Sequence, residues 1–212
     1  MTHITKYYFQ FLTYWFLIIL VTLSTQIQAQ NTEVFLGARF GHLDIENYNQ
    51  RNYGGVELDV VFDNNLGMHY TILGGKGYFH MPVAPVVGFL LGLALTNDEP
   101  PTDSTESNNG LGLFIGILTS LIPEAISYTI PLSEQFSVAP YIAPLQFEYL
   151  KNVGDEEGDP YIGGGAGVKV HFFSMERRLR LSSYFEYKIH YNSPINKGYS
   201  AGLNIAWKIN NN

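Results

Sequence analysis

The feature that most constrains this chain is a period of two held for fourteen residues near its C-terminal end. From Arg178 to Tyr191, one row reads Leu179, Leu181, Ser183, Phe185, Tyr187, Ile189, Tyr191; the other reads Arg178, Arg180, Ser182, Tyr184, Glu186, Lys188, His190. Successive side chains of a strand point to opposite faces, so this is a strand with one apolar and one polar face. The pattern recurs from Gly198 to Ile209, where Tyr199, Ala201, Leu203, Ile205, Trp207 and Ile209 oppose Gly198, Ser200, Gly202, Asn204, Ala206 and Lys208. Strands of soluble sheets run to about five or six residues, whereas a tilted membrane strand needs about 9–11. Both segments suit the longer class.

Earlier segments repeat the pattern. Val56, Leu58, Val60 and Phe62 face away from Glu57 and Asp59, and Asp63-Asn64-Asn65 turns into Leu66, Met68, Tyr70, Ile72. Tyr161 to Phe173 alternates Ile162, Ala166, Val168, Val170 and Phe172 against Gly163, Gly165, Gly167, Lys169 and His171 before a Ser174–Arg177 turn. Glycine on the inward row leaves room for bulky neighbours in a narrow lumen. Val34–Ile45, Ala125–Pro131 and Phe136–Tyr149 complete a count of eight, the last carrying Pro140 and Pro144, residues that suit an edge, a bulge or a strand end.

The start of the chain reads differently. Lys6 precedes an apolar run from Phe9 to Leu23, followed by Ile27-Gln28-Ala29. A basic start, a short apolar core and a small exit residue predict a secretory signal over 1–29, cleaved after Ala29, with one domain over 30–212. A membrane-anchoring helix would need about 20 consecutive apolar residues. Lys6 is the single one of 12 basic residues ahead of Gln30, so the mature chain carries 11 against 19 acidic ones, a net charge of −8. That acidity argues against nucleic acid as a partner. Cysteine is absent, which removes disulfides, thiol catalysis and the common zinc sites. Charged residues make up only 15% of the chain, against about a quarter in soluble domains. With no long apolar run after residue 30, a bilayer-spanning mature protein has to be a closed sheet.

One region departs from the pattern. Pro82–Leu95 and Leu111–Ile122 are apolar on all sides and flank the polar stretch 96–110. They are either two more strands, making ten, or an apolar helical insertion over 82–122 in an eight-stranded barrel. In the helical case Gly88/Gly92 and Gly112/Gly116 would allow close approach. Barrels of this kind keep short turns on the periplasmic side and longer loops outside. Eight strands place 64–65, 132–135 and 174–177 on the short side and 46–53, 80–123, 150–160 and 192–197 on the long side, so eight is favoured.

Together the alternation, aromatic content, turn parity and signal resemble the small OmpA- and OmpX-like outer-membrane β-barrels of diderm bacteria. The resemblance implies an all-β, antiparallel, up-and-down transmembrane barrel in the outer membrane. Many such proteins end on a C-terminal aromatic residue, whereas here Trp207-Lys208-Ile209 is followed by three asparagines.

Candidate chemistry is sparse. His190-Tyr191-Asn192-Ser193 is similar to the His/Ser pairing of barrel-type lipid A deacylases, in which His activates Ser and an acidic residue orients the His. The order here is His-x-Asn-Ser, no acidic residue follows it, and His190 shares the inward row. A polar lumen residue ahead of a Ser-Pro turn is the plainer reading. A second constellation is inward charge: Glu57, Asp59, Lys169, Arg178, Arg180, Glu186 and Lys188 could meet across the lumen and pair, since buried charges persist only when compensated. Eight strands leave an interior just wide enough for side chains, which favours a plug over a solute path. Asp155-Glu156-Glu157-Gly158-Asp159 lacks calcium-loop spacing and reads as a solvated loop. His42, His69, His80 and His171 lack metal-site spacing, and Gly163-Gly164-Gly165 lies within a strand with no helix after it, so no cofactor or metal is expected. The functional expectation is a non-enzymatic outer-membrane barrel with a structural role or a lipid or protein partner at the outer loops and residues 80–123. The alternatives are the His190/Ser193 hydrolase and a soluble periplasmic barrel holding a lipophile.

Overall fold

The alternating rows close on themselves. The computed structural model describes residues 32–84, 87, 119, 122–152, 154–174, 176–193 and 197–210. Among these residues ten strands form one antiparallel sheet: β1 (Glu33–Ile45), β2 (Arg51–Val61), β3 (Leu66–Gly75), β4 (Tyr78–Pro82), β5 (Ala125–Tyr128), β6 (Ile130–Pro131), β7 (Phe136–Leu150), β8 (Asp159–Phe173), β9 (Leu179–His190) and β10 (Lys197–Lys208). β1 pairs with both β2 and β10, and the ladder continues through β9, β8 and β7. Closure is made by a composite stave: β4, β5 and β6 together fill the place between β3 and β7. The result is an eight-stave barrel with its fourth stave in three pieces. The signal segment 1–29 and the polar stretch 96–110 lie outside the described residues, as does nearly all of the helical insertion expected over 82–122.

Seven staves are continuous and long enough to cross a bilayer, and their two faces differ as the sequence requires. Leu36, Phe40, Val56, Ile72, Ile142, Ile162, Val170, Phe185, Leu203 and Ile205 stand exposed on the outer wall. Among the described residues, the outward rows of β2, β3, β7, β8 and β9 carry no Asp, Glu, Lys or Arg, and that of β10 carries only Lys197, at the strand's outer end. A charge there at the bilayer midplane would cost about 2–4 kcal/mol. Tyr187 and Tyr199 stand on the wall toward one end and Trp207, Phe136 and Phe172 toward the other, as interfacial aromatic girdles do. This exterior belongs to a transmembrane barrel. It overturns the soluble lipophile carrier, which would need Phe185, Tyr187, Ile189, Leu203 and Trp207 to point inward.

Loop placement differs from expectation in one respect. The connection after β3 is the tight turn Lys76-Gly77, with Gly77 at a left-handed φ of 69°, and 80–123 is not an end loop. The chain instead leaves the wall inside the fourth stave, after Pro82, and returns at Ala125. Loop parity cannot detect this, because it assumes that every excursion starts at a barrel rim.

Candidate functional site

The inward rows fill the barrel with ion pairs. Near the periplasmic half, Lys169 Nζ donates to Glu57 Oε1 at 2.8 Å and lies 3.1 Å from His69 Nδ1. Asp59 takes His69 and Arg180 in close contacts and lies 3.4 Å from Lys169. Arg39 bridges upward, donating to Glu57 at 2.8 Å and to Glu186 at 3.4 Å while its guanidinium stacks 3.8 Å above the centre of the Tyr184 ring. In the middle, Gln146 donates to Glu186 at 2.8 Å and to Glu124 at 3.0 Å. Lys188 donates to Glu148 at 2.8 Å, which also accepts from His190 Nε2 at 2.7 Å. His80 sits between Glu124 at 2.8 Å and Glu148 at 3.4 Å.

Five buried carboxylates (Glu57, Asp59, Glu124, Glu148, Glu186) thus meet four fixed cations (Arg39, Lys169, Arg180, Lys188). The imidazoles His69, His80 and His190 serve the remaining acceptor sites. Among Arg39, His69, Glu124, Lys169 and Glu186 lies a cavity of about 10 Å³, about the minimum for one water. Glu57, Asp59 and His69 bring their donor atoms within 4.8 Å of one another. Lys169 and Arg180 already neutralise those carboxylates, so the set does not fit a metal ion.

Above the charges, Leu43, Ile45, Tyr53, Leu73, Tyr78, Leu150, Tyr161 and Tyr184 form an apolar plug at the outer end. Gly41 and Gly202 make it possible, since a Cβ at either would collide with the Tyr184 hydroxyl. At the rim, Tyr48 donates to Asp159 at 2.6 Å, and partial burial together with that bond holds its hydroxyl proton on well above the usual tyrosine range. The outer loops are thereby tied to one another.

Of the seven lumen charges expected, Glu57, Asp59, Lys169, Arg180, Glu186 and Lys188 are buried and paired together. Arg178 is a correction: it lies in the turn before β9, largely exposed, 3.5 Å from Glu176. Strand period counted back from Arg180 assigns it inward, but β9 begins only at Leu179. His190 faces the lumen on Glu148, its Nδ1 has no hydrogen-bond partner, and Ser193 reaches it only through a backbone bond of 3.3 Å from its N–H to the His190 carbonyl. No Ser-His pair is formed there. His171 bonds Ser182 at 2.7 Å, and His42 lies outside beside Asn52.

Sequence reasoning missed Arg39, Glu124, Gln146, Glu148 and His80. Glu148 is hidden by a β-bulge between Ala143 and Gln146. Before it the inward row of β7 is odd (Ser137, Ala139, Tyr141, Ala143), and after it even (Gln146, Glu148, Leu150). Pro144 within the bulge was the available signal. Arg39 shares its row with Phe35, Leu43 and Ile45, so neither face of β1 reads as polar.

Comparison with solved structures agrees with the fold. The N-terminal β-barrel domain of Pseudomonas aeruginosa OprF matches with a TM-score of 0.50 at 7% identity, over 85% of this chain and 98% of that one. Neisserial surface protein A matches with a TM-score of 0.47 at 8% identity, over 85% and 100%. Ail, the attachment invasion locus protein of Yersinia pestis, gives 0.41 at 10% identity, over 84% and 97%. The first of these carries the statement that the chain has the fold of a small outer-membrane barrel. No family model and no curated protein matches the sequence.

Proposed function

We propose that this protein is exported, processed after Ala29 and inserted in the outer membrane. There it works by contact within the membrane, through a lipid or protein partner of residues 82–122, rather than by conduction or catalysis. The observation that carries the reading is where the excursion is attached. Pro82 pairs with Gln146, Ala125 pairs with His69, and Thr71 between those levels lies opposite Glu57, midway along β2. A chain leaving a barrel wall at mid-height has two places to go. The lumen is filled by the ion pairs at that level, so the lipid side is the one open to a chain that leaves the wall there.

Its composition suits that side. Residues 82–95 and 111–122 hold no Asp, Glu, Lys or Arg, whereas 96–110 hold Asp98, Glu99, Asp103 and Glu106. An apolar band about 25 Å tall puts mid-height about 12 Å from either surface, a distance that either apolar arm can span at about 1.5 Å or more per residue. Apolar arms of that composition would suit lipid outside the barrel, and the acidic segment would suit water.

The absence of cysteine makes the test direct. Single variants Leu91→Cys, Leu113→Cys and Asp103→Cys carry an environment-sensitive fluorophore in vesicles with and without mid-chain brominated phosphatidylcholine. The reading expects blue-shifted, bromine-quenched emission at 91 and 113 and water-like emission at 103. Water-like, unquenched emission at 91 and 113 would remove it.

A further inference from the structure

The two ends of the barrel are unequal: the outer end is plugged by aromatic and aliphatic side chains, while the end bearing the short turns opens into a cavity of about 320 Å³. At about 30 Å³ per water this is room for about ten waters. Its deep walls are Phe35, Phe173 and Arg180, all buried, and its rim carries Glu33, Arg177 and Lys208, with Asp63 the other acid.

Cations exceed free carboxylates here. Glu33 is shared by Arg177 at 3.2 Å and Lys208 at 3.2 Å. Arg180 holds Asp59, which is also claimed by His69 and Lys169. The Nε of Arg180 is buried and has no partner. Both guanidiniums lie over rings, Arg180 at 4.4 Å from the centre of Phe35 and Arg177 at 4.3 Å from that of Phe173, and the two rings are 6.0 Å apart.

Arg177 adds an independent sign. Its φ of 53° lies in the left-handed region, which glycine or asparagine occupies more readily than a long side chain. The Arg177 N–H bonds the Ser174 carbonyl at 2.8 Å to close the turn, a bond that glycine or asparagine would make equally well. An arginine held at a disfavoured turn position, over a ring at the mouth of a cavity, is the arrangement of a ligand contact.

We infer that this periplasmic mouth binds a small organic carboxylate. The carboxylate accepts from the forks of Arg177 and Arg180, as planar guanidinium favours, and the apolar body lies in the cavity against Val61 and Phe62. Glu33 competes for Arg177, so it weakens the site while it balances the rim.

The test uses the refolded full mature chain in micelles, with 4-fluorobenzoate followed by fluorine NMR and neutral 4-fluorobenzamide reporting partition into the micelle. The site predicts a saturable shift for the benzoate that the benzamide lacks. Arg177→Asn relieves the turn but should weaken binding about tenfold or more, the worth of a charged hydrogen bond. Glu33→Gln should tighten it by up to about threefold, the scale of a half-exposed ion pair. A structural role for Glu33 would not produce that gain. Identical titrations for benzoate and benzamide, unchanged affinity in Arg177→Asn, or weaker binding in Glu33→Gln would each overturn the assignment. Heat-shifted gel mobility confirms that every variant still forms the barrel.

Discussion

Glu124 offers the sharpest test of how the fourth stave is built, because its carboxylate stands where a strand should be. At the level of the excursion β3 has β2 on one side but, among the described residues, no strand on the other, and the N–H of Thr71 donates at 2.9 Å to Glu124 Oε2 instead. The other oxygen accepts from His80 at 2.8 Å and Gln146 at 3.0 Å. Glu124→Ala leaves the Thr71 amide unpaired at mid-membrane depth, a cost of about 1–3 kcal/mol. It also strips one acceptor each from His80 and Gln146, which keep Glu148 and Glu186, for about 1–2 kcal/mol more. The expected loss is therefore about 2–5 kcal/mol. Glu124→Gln keeps one oxygen and should lose about half as much. Urea unfolding in lipid vesicles can be read from Trp207, the single tryptophan after residue 29, and from gel mobility. A Glu124→Ala barrel within about 0.5 kcal/mol of the parent would refute the reasoning, since that is the range of surface changes that touch no such feature.

Lys169→Met should destabilise by about 3–5 kcal/mol, because it leaves Glu57 and Asp59 short of a buried cation, and the same unfolding assay measures it. Adding Glu57→Gln to that variant should recover part of the loss, whereas simple additivity would mean the two residues are not coupled. Ser193→Ala should leave outer-leaflet lipid unchanged by mass spectrometry; an altered acylation pattern would restore the hydrolase reading.

Much of the barrel was legible in the sequence because a transmembrane barrel imposes the same period on every stave and forbids charge on one face. β8 and β9 announce themselves through Lys169, Arg180, Glu186 and Lys188 set against largely apolar rows, and β10 through Ser200, Asn204 and Lys208 set against Leu203, Ile205 and Trp207. Legibility fails where the period is broken or where contrast is lacking. The bulge at Pro144 shifts the row that carries Glu148, the apolar inward row of β1 conceals Arg39, and β4 is only five residues long before the chain departs. Glu124 could not be read as a wall element, since its partner Thr71 is set by tertiary placement and not by spacing. Arg178 failed for the opposite reason: the pattern ran one residue past the strand that justified it.

The central claim is that buried ion pairs and an aromatic plug close this barrel to ions. Conductance of the purified mature protein in planar bilayers tests it most directly, after heat-shifted mobility has shown that the barrel is folded. The account predicts no stable current steps above the lipid baseline. Steady, reproducible openings from the folded barrel would contradict it, because a current needs a water path through the layer where Arg39, Glu57, Lys169 and Glu186 now meet.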